Sequence, residues 1–182
     1  VQSLRPAVRL ALQRATAYAR AGYAEPGAWA DAAVGGRVGR AEAVSEQLYM
    51  VFDCESIGLH GETFSVGYVV IDATGHEHEA ARLTCSPDAA LGDDEGRIWV
   101  DENCPKLPAD FVDTKGVRSS FWGAWLRWKE RGAVLVADCA WPVEARFLID
   151  CVDDIAGREW QGPYPLYDVA TARLCAGLDP LA

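Results

Sequence analysis

The sequence predicts an α/β domain on a mixed sheet whose first three strands are antiparallel. Three observations carry that expectation. Tyr49–Cys54 is a short apolar run of the kind found in buried central strands. Thr63–Asp72 is rich in Val, Ile, Tyr and Phe, Ala73-Thr74-Gly75 reads as a turn, and Glu77–Cys85 reads as the return strand of a hairpin. From residue 117 onward, helical and strand patterns alternate.

Taken in order, Leu4, Val8, Leu12 and Ala15 recur at helical spacing and predict a helix over 4–22. Residues 34–40, Val-Gly-Gly-Arg-Val-Gly-Arg, read as a linker. Residues 1–49 carry six Arg, four acids and 13 Ala, a net charge of +2. The remainder carries 11 basic and 23 acidic residues, a net charge of −12. This shift marks residues 1–46 as an Ala/Arg-rich N-terminal extension and 47–182 as the domain proper. Met50, the only Met, stands at the start of the latter.

Residues 86–115 are acidic, contain three Pro and show no period, which predicts a loop. Val117–Arg131 is expected to be helical, with Val117, Phe121, Ala124, Trp125 and Trp128 on one stripe and Gly132 as its stop. Ala133–Asp138 reads as a strand and Val143–Val152 as a helix, with Pro142 suited to its first turn. Tyr164–Tyr167 reads as a last strand and Val169–Ala176 as a last helix, ended by Gly177.

At 182 residues, half of them hydrophobic, the chain is long enough for one sizeable core. No apolar run approaches the roughly 18–20 residues of a membrane span, so no membrane partner is expected. There is no secretory-type leader pattern. The six Cys form no Cys-x-x-Cys pair and no zinc-type spacing, which points to reduced thiols and a cytoplasmic location. A net charge of −10 argues against broad electrostatic binding of nucleic acid. It is compatible with phosphates met through divalent cations.

Asp53 and Glu55 stand at the end of the first strand. Side chains alternate along a strand, so both carboxylates share a face, about 7 Å apart, while Cys54 points into the core. One reading is a site for hard divalent cations, Mg²⁺ or Mn²⁺, which prefer oxygen ligands. The other is an exposed acid pair. Asp138 ends a second apolar strand, and Glu144 falls in the first turn of the next helix, where the helix dipole favours an anion. If the two strands are neighbours, all four acids meet at one sheet edge. Trp122, Trp125 and Trp128 are expected in the core, and Trp141 is a candidate to line the site. Arg118, Arg127, Lys129 and Arg131 form the one local basic cluster, read as a solvated helix face or a strand-binding face.

Val51-Phe52-Asp53-Cys54-Glu55-Ser56-Ile57-Gly58-Leu59 resembles the first motif of the DEDD (DnaQ-like) 3′–5′ exonucleases, which have a ribonuclease H-like fold. Val136-Ala137-Asp138-Cys139-Ala140, running to Glu144 and Phe147-Leu148, resembles their second motif. Glu144 then falls on the family's Asp after one inserted residue, and Asp138 falls where the family often has His. Asp168-Val-Ala-Thr171 resembles a structural segment that follows. The resemblance spans about 47–178. It implies a metal-dependent 3′–5′ exonuclease cleaving RNA or DNA to nucleoside 5′-monophosphates, with two Mg²⁺ or Mn²⁺. Asp53, Glu55 and Glu144 would be catalytic. Asp53, Glu55, Asp138 and Glu144 would hold metal, and Ser56, Gly58 and Leu59 would lie against a single-stranded 3′ end.

The family's third motif, His-x4-Asp or Tyr-x3-Asp on a late helix, is matched only in spacing by Tyr164 and Asp168. Pro165 argues against one helix turn there, so that motif is expected beyond residue 182. Two rival readings follow. One is an exonuclease-fold domain with impaired chemistry that binds nucleic acid or protein. The other is a haloacid dehalogenase-type phosphatase using Asp53 as nucleophile, with Asp153-Asp154 as late acids.

Overall fold

The computed structural model describes residues 47–175, 177 and 179. The N-terminal extension, with its expected helix and linker, lies outside the described residues. Within them the chain runs β1 (Leu48–Ser56), β2 (Thr63–Asp72), β3 (Glu77–Thr84), α1 (Asp94–Asn103), α2 (Thr114–Glu130), β4 (Val134–Ala137), α3 (Ala145–Asp153), β5 (Tyr167–Asp168) and α4 (Val169–Cys175). A 3₁₀ turn, Pro87–Ala89, precedes α1, and a π-type turn, Ala140–Glu144, leads into α3.

The strands form one sheet in the order β3-β2-β1-β4-β5. β1, β2 and β3 pair antiparallel, whereas β4 and β5 run parallel to β1. This is the mixed α/β sheet with flanking helices, its first three strands antiparallel, that the sequence predicted. Both crossovers to parallel strands pass through helices, as parallel pairing requires. β1 is central. Leu48, Met50, Phe52 and Cys54 on one of its faces belong to the main core, while Val51 packs with Val69, Ile71 and Val136 on the other. The alternation of Cys54 with Asp53 and Glu55 follows from this pleat.

α2 closes the main core. Val117, Phe121, Trp122, Ala124, Trp125 and Trp128 are all buried, so these tryptophans are core residues. The Phe121 ring stands 5.2 Å from Phe52 and 5.0 Å from Phe147 on α3, so one aromatic triad joins sheet and both helices. Asp113 caps α2, accepting from the Gly116 amide at 2.9 Å.

The stretch 86–115 is not all loop. It contains α1, capped by Asp93, which accepts from the Gly96 amide at 2.6 Å. Only Gly96 and Val100 of α1 are buried, so the helix lacks the apolar stripe by which a sequence announces one. Its place is set by contact. A Cβ at Gly96 would stand 2.5 Å from the Gly58 amide nitrogen, so α1 rests against the turn that follows Glu55. Gly96→Ala is expected to push the two apart and lower stability by about 1–3 kcal/mol in urea unfolding, the range for overpacking.

Of the basic cluster, Arg127, Lys129 and Arg131 are exposed, as a solvated helix face requires, and Arg118 is not. Arg118 is 6% exposed and bonded to Asp154 and Glu62. Arg127 pairs with Glu79, Arg131 stacks on Trp128, and Lys129 donates to the Gln161 carbonyl. The four form no common face because a 17-residue helix spreads residues 118, 127, 129 and 131 around and along its axis.

Candidate active site at the β1–β4 edge

Parallel pairing places Phe52 beside Ala137, so the next residues are Asp53, still within β1, and Asp138, just past the end of β4. On the other side Asp53 faces Gly67 of β2, which presents no side chain, and Glu55 faces Ser65. β4 ends at Ala137, which leaves the β1 backbone beyond Phe52 without a strand on that side. Glu144 takes its place. Its Oε1 accepts from the Cys54 amide at 3.3 Å, between the two acids of β1. The first helix turn expected at Glu144 is instead the end of the π-type turn, and α3 proper begins one residue later. That turn carries the carboxylate inward: Glu144 is only 7% exposed.

The electrostatics report the same grouping. Burial, followed by the charges of Asp53 and Asp138, pushes the Glu144 carboxyl up to about 7. Asp138 is raised by burial and then by Asp168, against the pull of Arg173. Burial, then Glu144 and Asp53, drive the Cys54 thiol well above its usual range, leaving it a protonated core residue. Asp53, Asp138 and Glu144 are therefore one acid cluster. Glu55 is buried at 8% exposure and lines a cavity farther along the same strand, with Phe64 and Thr84.

The turn after Glu55 is built from its own backbone and from α2. Ser56 Oγ donates to the Gly58 carbonyl at 2.7 Å, and Gly58 adopts φ 68°, where glycine avoids the steric cost of a side chain. Leu59 is exposed at the tip. Ile57 donates to the Glu62 carbonyl at 3.1 Å, and Glu62 accepts from Arg118 and from the Leu91 amide. Arg118 also holds Asp154 at the end of α3. One guanidinium thus ties the β1 turn to the helix that follows Glu144. Sequence reading missed this link, whose available signal was an Arg one helical turn after Thr114 on the apolar face of α2.

Asp168 is a structural cap. Burial pulls its carboxyl up, but amide bonds from Thr171 at 2.6 Å and Ala140 at 2.9 Å prevail and hold it low. It therefore braces the turn that carries Asp138 to Glu144. Tyr164 is 75% exposed, and its hydroxyl donates to the Glu159 carbonyl. Nothing pairs it with Asp168. Trp141 stands 73% exposed on the turn between Asp138 and Glu144. Asp153 and Asp154 lie at the far end of α3, with Asp154 committed to Arg118.

Among the described residues, no three His, Cys, Asp or Glu side chains form a ready-made metal cage. No described helix is long and apolar enough to cross a membrane.

No protein-family model matches the chain, and no curated protein matches it in sequence. Two solved structures resemble it in fold. One is described as an ExoI/SSB-Ct complex, with TM-score 0.49 and 12% identity. The other is exonuclease I in complex with the inhibitor BCBP, with TM-score 0.48 and 12% identity. Each match covers 74% of this chain and 31% of the other, so the chain spans under a third of those structures' length.

Proposed function

We propose that this chain is a divalent-cation-dependent 3′–5′ exonuclease acting on the single-stranded 3′ end of RNA or DNA. The observation that carries the reading is the convergence of the half-buried Asp53 and Asp138 on the buried Glu144 at one sheet edge, where burial and then the charges of Asp53 and Asp138 push the Glu144 carboxyl up to about 7. Such a cluster is stabilised by a cation. The donors are all carboxylate oxygens, which suit Mg²⁺ or Mn²⁺. Mg²⁺ is commonly held by one or two carboxylates together with water and substrate phosphate, so a site without a three-residue cage fits an ion that is completed by the phosphodiester.

Asp53, Glu144 and Asp138, with Glu55 farther along β1, would hold the ions. Bound there, they would supply a more acidic water and a counter-charge for the departing 3′ oxygen. The chain's own residues do the positioning. The Cys54 amide fixes Glu144, Asp168 fixes the turn bearing Asp138, and Ser56 and Gly58 shape the turn on which Leu59 meets the terminal nucleotide. Products would be nucleoside 5′-monophosphates.

The test is digestion of 3′-labelled RNA and DNA with and without Mg²⁺ or Mn²⁺. Asp53→Ala is expected to abolish the divalent-dependent digestion, and activity that survives it would sink the proposal. The placement of Tyr164 and Asp168 supports a second reading, a domain of this fold with impaired chemistry, because neither is posed to take a proton from water. Isothermal titration separates the two: Mn²⁺ uptake that Asp53→Ala removes supports the nuclease, and no uptake supports the second reading. The phosphatase reading finds no support in Asp153-Asp154, which stand roughly 13 Å along α3 from Glu144.

A further inference from the structure

A histidine pair stands where β2 turns into β3. The rings of His76 and His78 have centroids 5.1 Å apart at an angle of 84°, and His78 Nε2 lies 3.2 Å from Asp72 Oδ2. We propose that His76 and His78 chelate one borderline divalent transition-metal ion of the Ni²⁺ or Zn²⁺ kind, with Asp72 orienting His78. This inference stands apart from the nuclease reading. Asp72 is five residues along β2 from Gly67, the partner of Asp53, roughly 17 Å at the rise of a strand.

The fold builds the pair. β2 and β3 pair as Val70 with Glu79 and Ile71 with Glu77, so His78 is an extra residue, a β-bulge. In a regular ladder His78 would stand opposite Ile71 and share its face of the sheet. The bulge turns it to the other face, where it meets Asp72 and packs 6.1 Å from the Trp128 ring. The Asp72 amide donates to the His76 carbonyl at 3.1 Å, which sets His76 across from Asp72. Asp72 Oδ1 accepts from the His76 amide at 3.1 Å and from the Thr74 amide and hydroxyl at 2.8 and 2.6 Å. One carboxylate thus fixes the backbone of His76 and the ring of His78.

The chemistry selects the ligand. Burial pulls the Asp72 carboxyl up, but bonds from Thr74, the His76 amide and His78 prevail and hold it at about 2. It is therefore ionised and only accepts, so a neutral His78 carries its proton on Nε2 and keeps the Nδ1 lone pair for a metal. A carboxylate behind a ligating imidazole is the common support of such a bond. Two imidazoles held about 2.0–2.1 Å from one ion have ring centres roughly 5 Å apart, which is the spacing of this pair. Imidazole suits Zn²⁺, Ni²⁺ and Cu²⁺, whereas Mg²⁺ and Mn²⁺ prefer oxygen, so this ion differs from the one proposed at the acid cluster. Both histidines are exposed, which leaves the ion an open path and water to complete its shell.

The experiment is calorimetric titration of the untagged full chain with Ni²⁺ in excess Mg²⁺. One Ni²⁺ per chain is expected to bind. His76→Asn or His78→Asn should weaken binding at least about tenfold, the loss that follows even from removing a partner behind a ligand. His60→Asn and Asp53→Ala should leave it unchanged. A second measurement needs no variant: diethyl pyrocarbonate labelling of the parent protein, read at each histidine by peptide mass spectrometry. Ni²⁺ at ten times its Kd is expected to slow labelling of His76 and His78 about tenfold and to leave His60 unaffected. The inference is overturned if no Ni²⁺ binds in excess Mg²⁺, or if His76 and His78 are labelled equally with and without Ni²⁺. Binding that survives both histidine variants would assign the ion to other donors, such as the exposed Cys139 and Cys175, and overturn it too. So would loss of binding in Asp53→Ala, which would assign the ion to the acid cluster.

Discussion

At pH 8, Glu144→Gln is expected to be more stable than the parent protein by about 3 kcal/mol. Glu144 is held at about 7, against 4.5 for an ordinary glutamate, by burial and then by Asp53 and Asp138. Between those values the native state binds more protons than the unfolded chain, so stability falls as pH rises through the window. The difference corresponds to about 1.4 kcal/mol per pH unit. Below about 4.5 the carboxyl is protonated in both states and the substitution should change little. Gln keeps an oxygen to accept from the Cys54 amide, so the bond that seats the side chain survives. Urea unfolding at pH 4 and pH 8 measures both limits. Equal stability at pH 8 would contradict the burial of a charge beside its neighbours. If the cluster holds a cation, Mn²⁺ should raise the parent's stability at pH 8 more than the variant's. The variant should then be more stable and less active, the usual exchange at a site that gathers like charge.

Arg118→Met is expected to lower stability by about 3–5 kcal/mol, the range for removing one partner of a buried ion pair. Arg118 is 6% exposed and makes two bonds to Asp154, at 2.6 and 3.0 Å, and one to Glu62 at 3.2 Å. Met replaces the volume but leaves two carboxylates without their cation. The double variant Arg118→Met/Asp154→Leu should recover part of the loss, because it removes one stranded charge. Arg127→Met is the matched control. Its pair with Glu79 is exposed, and the change should stay below about 1 kcal/mol. Urea unfolding of the three variants decides the matter. Losses of equal size at 118 and 127 would refute the buried network. Arg118 also carries the link from the β1 turn to α3, so its loss should loosen Ile57–Glu62, seen as faster amide exchange at Ile57.

The sequence alone determined β1 to β4, because their patterns are local, whereas the last strand, expected over Tyr164–Tyr167, lies at Tyr167–Asp168 and is set by its pairing with β4. β2 occupies the predicted Thr63–Asp72, and β1 and β3 differ from expectation only at their ends. The pleat of β1 follows from alternation, so the shared face of Asp53 and Glu55 was legible, as was the burial of Cys54. The α2 stripe was legible because its aromatic residues recur at helical spacing. α1 was hidden, since its position depends on a glycine resting against another turn and not on an apolar face. Arg118 misled because burial of a charge depends on partners 36 and 56 residues away.

The site divides the same way. Sequence supplied the four acids, Asp53, Glu55, Asp138 and Glu144, each at the end of an apolar strand or the start of a helix. Only the tertiary structure decided which of them meet. The early end of β4 exposes the Cys54 amide, and Glu144 fills the gap, joining Asp53 and Asp138 in one charged cluster. Glu55, two residues along the same strand, also lines the cavity beside α1. A strand's period sets which side a carboxylate takes, but its neighbours' lengths set what it touches there.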